Sequence, residues 1–185
     1  IAALANSIRE YWDDNGRGEK LLMSFHGVPQ QTVRDGDPYY EQCLETANLL
    51  ATALDLDGHG WTVTFQSRMG RGEWLQPYTD KSIAELGHSG VKNLDVVCPG
   101  FAVDCLETLE EIAIRYADVY TRAGGGKLRY IPALNAREDH VQALSRLVQE
   151  NTGGWPEART DDDPASGAIK REDSLRRARE LGATR

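Results

Sequence analysis

The sequence predicts a flavodoxin-like, three-layer α/β/α fold built on a four-stranded parallel sheet, and three features of the chain carry that expectation. Four short apolar runs have the length and composition of strands. Stretches with helical spacing separate them, and capping residues or glycines mark most of the boundaries. Strands buried on both faces read as near-continuous hydrophobic runs, and successive strand–helix units imply right-handed crossovers between parallel strands.

Ile1–Tyr11 has a helical pattern, and because the chain opens inside it on Ile1, the expectation is a fragment with a segment upstream. Lys20–Phe25 (KLLMSF) is the first strand, ended by His26-Gly27-Val28-Pro29. Asp37-Pro38 reads as an N-cap with proline at the first helical position. The helix it opens aligns Tyr40, Leu44, Ala47, Ala51 and Leu54 on one face, and Asp57-Gly58 stops it. Trp61–Gln66 (WTVTFQ), β-branched and aromatic, is the second strand. Thr79 is the expected cap of a shorter helix carrying Ile83 and Leu86, with Gly90 as its stop. Asn93–Cys98 (NLDVVC) is the third strand, ended by Pro99-Gly100. Leu106, Leu109, Ala113, Tyr116 and Tyr120 stripe the next helix, which Gly124-Gly125-Gly126 terminates. Lys127–Pro132 (KLRYIP) is the fourth strand, and a helix from about Ala136 presents Val141, Leu144 and Leu147 before Gly153-Gly154. Residues 1–155 are therefore expected to form one domain. Residues 156–185 are expected to be a polar, flexible tail: 156–167 read as a linker, and 170–185 are polar nearly all round.

Composition narrows the function. A length of 185 residues allows one well-buried domain plus a tail. The net charge of −8 argues against nucleic acid as partner, because phosphate binding needs basic patches, but it does not disfavour cations. Cys43, Cys98 and Cys105 lack C-x-x-C spacing, and with each placed in a regular element they predict a reducing, cytoplasmic setting without disulfides. No apolar run is long enough to cross a bilayer, which leaves only peripheral membrane contact open.

In open α/β sheets ligands bind beyond the carboxyl ends of the strands where strand order reverses, here between the first and third strands. The segments leaving them carry an imidazole at His26 and a carboxylate at Glu107, both suited to metal work. Residues alone leave two readings of each. His26 is either a hydrogen-bonded turn residue or a ligand. Asp104, Glu107, Glu111 and Asp118, at helical spacing, are either helix-start acids on a solvated face or an acidic track for cations and protons.

Three blocks, in order and in spacing, resemble the ferrochelatase family. They are Ser24-Phe25-His26-Gly27-Val28-Pro29 with Gly36-Asp37-Pro38-Tyr39; Phe65-Gln66-Ser67-Arg68-Met69-Gly70 with Trp74-Leu75-Gln76-Pro77-Tyr78-Thr79; and Pro99-Gly100-Phe101, Asp104 and Leu106-Glu107-Thr108-Leu109-Glu110-Glu111. The resemblance covers about residues 1–155 and implies the chelatase-like version of the predicted fold, in the C-terminal half of chains about twice as long. It implies insertion of Fe(II) into a porphyrin, with His26 and Glu107 as catalytic and metal-binding residues. Asp104 and Glu111 are implied on a proton or iron path, and Trp74, Ser67 and Arg68 against the porphyrin. The implied partners are porphyrin, ferrous iron as substrate, and an absent N-terminal domain of the same enzyme. Departures are Cys105 where some members carry histidine and Arg115 where some carry an acid. Some members hold a [2Fe–2S] cluster in a cysteine-bearing C-terminal extension; the tail here has no cysteine, so no cluster and no permanently bound cofactor is expected. The competing expectations are a relative acting on coproporphyrin or on cobalt, and a non-catalytic flavodoxin-like binding module.

Overall fold

A computed structural model describes residues 1–155 and 164–183. The chain forms two compact units, Ile1–Ala143 and Leu144–Arg185. The first contains α1 (Ala2–Asn15), β1 (Lys20–His26), α2 (Gln30–Arg34), α3 (Tyr39–Ala53), β2 (Trp61–Gln66), α4 (Thr79–His88) and β3 (Asn93–Val97). After β3 come a π-helix (Glu107–Tyr116), α5 (Ala117–Arg122), β4 (Lys127–Tyr130) and the start of α6 (Glu138–Thr152). The second unit holds the rest of α6 and α7 (Pro164–Glu180). Within α7, Arg176 pairs with Asp173 one turn away at 3.0 Å, a surface pair typical of a helix polar all round. The expected linker falls largely on residues 156–163, which lie outside the described residues, as do 184 and 185.

The sheet has the order β2-β1-β3-β4 and every pairing is parallel, as the strand–helix alternation predicts. Successive residues of β1 divide between the two faces by the strand period of two. Leu21, Met23 and Phe25 pack with Ala5 and Ile8 of α1 and Ala47, Leu50 and Ala51 of α3. Leu22 turns the other way, to Leu94, Val96, Ile83, Ile112, Tyr116 and Tyr120. Leu22, Leu94 and Ile112 are fully buried, and each such side chain stabilises the fold by about 1.5–3 kcal/mol.

Local structure departs from expectation in four places. Ahead of α3, whose bordering residue is Pro38, Asp37 Oδ1 accepts the Tyr39 N–H at 2.8 Å. Thr79, by contrast, is the first helical residue of α4, and its hydroxyl is buried against Ser24 and Thr64 instead of capping. The helix after β3 begins as ten residues of π-helix before reverting to α, because apolar spacing does not distinguish the two. Cys98 lies just past β3 and Cys105 in the loop before the π-helix, so only Cys43 sits inside a regular element; all three thiols are free. The short α2 was not foreseen, since its five residues are too few to show a period.

Candidate active site

The ends of β1 and β3 are neighbours in the sheet, so the loops leaving them open onto one crevice. His26 is the last residue of β1. Its Nδ1 lies 2.6 Å from the carbonyl oxygen of Gly27. A carbonyl can only accept, so Nδ1 carries the proton and, in the neutral ring, Nε2 keeps its lone pair. The strand end itself is fixed from below by the Tyr39 hydroxyl, which donates to His26 O at 2.8 Å. Gly27 has to be glycine: a Cβ there would lie 2.9 Å from Gln66 O and 3.3 Å from the Trp74 ring. Trp74 is held in turn by its indole N–H, which donates to Met69 O at 3.0 Å. It is thus a loop anchor standing beside the histidine.

Beyond β3 the chain turns at Pro99-Gly100, and the Phe101 ring comes within 6.3 Å of the His26 ring. Asp104 then fastens the loop. Its Oδ1 accepts from Tyr130 OH at 2.6 Å, Ala133 N at 3.2 Å and Thr108 Oγ1 at 3.2 Å, while Oδ2 accepts from Asn135 Nδ2 at 2.8 Å. Burial pushes its pKa up, but the donors from Asn135, Tyr130, Ala133 and Thr108 outweigh it and hold the carboxyl below its usual range. Both Asp104 oxygens are therefore committed to the scaffold.

Glu107 opens the π-helix. Its own backbone N–H, the neighbouring Cys105 thiol and the charge of His26 hold its carboxyl below the usual range, against a small penalty from burial. Leu106 beside it is 78% exposed, and Met69 and Val103, in the loops after β2 and β3, are 75% and 56% exposed.

Glu111, one turn on, is 5% exposed and densely solvated by protein. Its oxygens accept from Ser67 N at 3.0 Å, Ser67 Oγ at 2.6 Å, Gln66 Nε2 at 3.2 Å and Tyr116 OH at 2.7 Å, and Arg115 lies 3.3 Å away. Burial and this carboxylate together push the Tyr116 phenol well above its ordinary pKa, so Tyr116 remains a donor. Ser67 has a φ of 62°, a left-handed conformation that non-glycine residues seldom adopt, and its two hydrogen bonds to Glu111 hold it there. Arg68 turns elsewhere, pairing with Asp80 at 2.8 Å and stacking over Tyr78 at 3.9 Å.

Of the residues singled out in the sequence, His26 ends β1, Glu107 opens the π-helix that follows the neighbouring strand, the Trp74 ring packs beside Gly27, and Ser67 is joined to Glu111. Asp104 and Arg68 are tied into the surrounding frame. Sequence reasoning passed over Gln66, Tyr116, Tyr130 and Asn135. For Gln66 a signal existed: a polar residue closing an apolar strand. Among the described residues no three His, Cys, Asp or Glu side chains converge to hold a metal. Two donors can hold an ion only in passing, with other ligands completing its shell.

The ferrochelatase family profile matches residues 1–152. Ferrochelatase of Thioalkalivibrio sulfidiphilus (strain HL-EbGR7) is 52% identical over 183 residues, which is 99% of this chain and 50% of the relative. Ferrochelatase of Aeromonas hydrophila subsp. hydrophila is 53% identical over 148 residues, 80% of this chain and 46% of the relative. Ferrochelatase 1 of Shewanella oneidensis is 52% identical over 155 residues, 84% of this chain and 46% of the relative. The chain spans about half the length of the curated relatives it matches.

Proposed function

This chain belongs to the ferrochelatase family, and from that premise we propose that it supplies the metal- and proton-handling half of an enzyme that inserts Fe(II) into protoporphyrin IX. The reaction exchanges one ferrous ion for two pyrrole protons and yields protohaem. One observation supports the reading: β1, which ends at His26, pairs directly with β3, whose outgoing loop leads to Glu107, and the exposed Met69, Val103 and Leu106 of the neighbouring loops would give the site an apolar rim. A flat apolar ring laid on that rim would present its nitrogens to both groups.

His26 serves as the proton acceptor or as an iron ligand, since its unprotonated nitrogen can do either. Glu107, held ionised, attracts the ion and stabilises the imidazolium that forms when His26 takes a proton. Imidazole with carboxylate is a donor pair suited to ferrous iron, and the ring nitrogens complete the shell as the ion is transferred. Bending the ring to expose its lone pairs is strain that binding of the rest of the macrocycle would have to supply. In this scheme Glu111 would pass protons through its hydrogen bonds behind Glu107 and Trp74 would lie toward the porphyrin, whereas Ser67, committed to Glu111, and Arg68, committed to Asp80, would support the wall. Iron is substrate in this scheme, and no resident cofactor or cluster is invoked.

The remainder of a full-length protein supplies the other wall of the pocket, which fits the half-length match to the relatives. Three free cysteines suit a reducing, cytoplasmic location, and no helix among the described residues is long and apolar enough to cross a membrane. The test is a spectral titration of the full-length protein. Adding porphyrin and then Fe(II) or Zn(II) should convert the free-base spectrum to that of a metalloporphyrin, catalytically. A bound porphyrin that never metallates would reduce the protein to a binding module; faster conversion of coproporphyrin would change the substrate.

A further inference from the structure

Gln66 closes β2 in register with His26, and it touches both halves of the crevice. Its backbone carbonyl accepts the Gly27 N–H at 2.8 Å, immediately beside the histidine. Its side-chain Nε2 donates to the Glu107 carbonyl oxygen at 2.7 Å and to Glu111 Oε2 at 3.2 Å. The residue is 1% exposed. Its amide cannot flip without loss, because Oε1 accepts from Ser24 Oγ at 2.7 Å and faces the Cys98 thiol at 3.4 Å. Ser24 Oγ packs 2.9 Å from the Thr79 hydroxyl, whose own proton goes to Thr64 at 2.9 Å. Reversed, the amide would set its NH2 against a hydroxyl donor and its oxygen against a carboxylate.

We propose that Gln66 is a positioning residue that sets the separation between His26 and Glu107, bridging the end of β1 to the first turn of the π-helix. The inference rests on the reading of the crevice as a metal-insertion site and adds the element that tunes it. The ion must be held by His26 and Glu107 together, so a small drift of the π-helix away from β1 weakens metal capture before it weakens contact with the ring. Gln66 itself reaches neither substrate.

The experiment uses the full-length protein with Gln66→Met, Gln66→Glu and Ser24→Ala. Methionine keeps the length and volume but removes the amide. Glutamate keeps the shape and turns a carboxylate toward the Glu107 carbonyl and Glu111. Alanine at position 24 leaves Gln66 in place and removes the hydroxyl that orients it. Steady-state rates of metalloporphyrin formation are measured with metal and porphyrin varied separately. Both Gln66 variants should lose about 10- to 100-fold in kcat/KM for the metal, the range found when residues supporting metal ligands are removed. The KM for porphyrin should stay near wild type, and Ser24→Ala should show a smaller loss with the same split. An unchanged KM for metal in all three variants would overturn the assignment. So would equal losses for metal and porphyrin that merely follow the folded fraction, including the case in which only Ser24→Ala can be purified. A wild-type protein that metallates nothing would sink the proposed function and this inference with it; an active wild type with indifferent variants removes Gln66 alone.

Discussion

Two polar clusters grip the sheet, one toward the amino ends of its strands and one at the carboxyl ends, and each is organised by a buried carboxylate. Near the amino end, Asp95 of β3 is 1% exposed and stands opposite Leu21, the second residue of β1. Its Oδ1 accepts from Arg129 Nε at 2.7 Å; its Oδ2 accepts from Trp12 Nε1 at 2.7 Å and Gly18 N at 2.8 Å. Arg129 spends its remaining donors on Asn15 O at 2.7 Å and Gly16 O at 3.0 Å, where α1 ends. At the carboxyl end, Glu111 is as fully engaged, whereas the described residues give His26 a hydrogen bond at Nδ1 only and leave Glu107, at the start of the π-helix, half-buried. The closed cluster ties α1, β3 and β4 into one body. The other is a saturated frame with a histidine and a glutamate on the elements beside it, the pair to which the proposed metal handling is assigned.

That contrast predicts which changes cost activity and which cost stability. The largest effect is expected from His26→Ala in the full-length protein. Metalloporphyrin formation should fall by about 10²- to 10⁴-fold, the usual contribution of a positioned acid–base group, with little change in thermal stability. Normal turnover would move the chemistry away from β1. Asp95→Ala should do the reverse. Stranding the Arg129 guanidinium, 9% exposed, should cost about 3–5 kcal/mol of stability in denaturant titration, while turnover per folded molecule is retained. A loss of turnover without a loss of stability would erase the distinction between the two clusters.

Asp104 lies between these extremes, because it is a scaffold acid at the active edge. Its folded pKa is depressed, so its contribution is present above the ordinary carboxylate value and is lost as pH falls through the folded one. Asp104→Asn should therefore be less stable than wild type at neutral pH, and the gap should close as pH drops below about 4. A gap that persists in acid would mean that shape, and not charge, is what Asp104 provides. The smallest effect belongs to Arg34, whose pair with Glu73 at 3.3 Å is open to solvent on both sides. Arg34→Ala should alter stability by less than about 1 kcal/mol, within the range of exposed ion pairs. A larger change would show that α2 matters to the frame more than its exposure suggests.

The fold was legible because its signals are periodic and local. KLLMSF and NLDVVC announce strands whatever surrounds them, and Asp37-Pro38 announces a helix start that the Tyr39 N–H takes up. The adjacency of the segments that carry His26 and Glu107 was legible one step further on, because the parallel order 2-1-3 puts the ends of the first and third strands side by side. The π-helix was not. Leu109, Ile112 and Tyr116 suit either helix, and the tertiary bond at its start, from Gln66 to the Glu107 carbonyl, comes from 41 residues away in sequence. Ser67 and Arg68 are adjacent in the chain yet end on Glu111 and Asp80, which no motif could have assigned.

From sequence alone came the alternation of strands with the longer helices, the parallel sheet and the burial of β1 on both faces. Hydrophobic spacing encodes these, since burial depends mainly on what each residue is and how often it recurs. Tertiary structure decided which donor meets which acceptor: Asp104 with Tyr130 and Asn135, Glu111 with Ser67 and Gln66, Asp95 with Arg129 and Trp12. A hydrogen bond needs its partner within about 3 Å and correctly aimed, and for distant residues that condition exists only once the chain has packed.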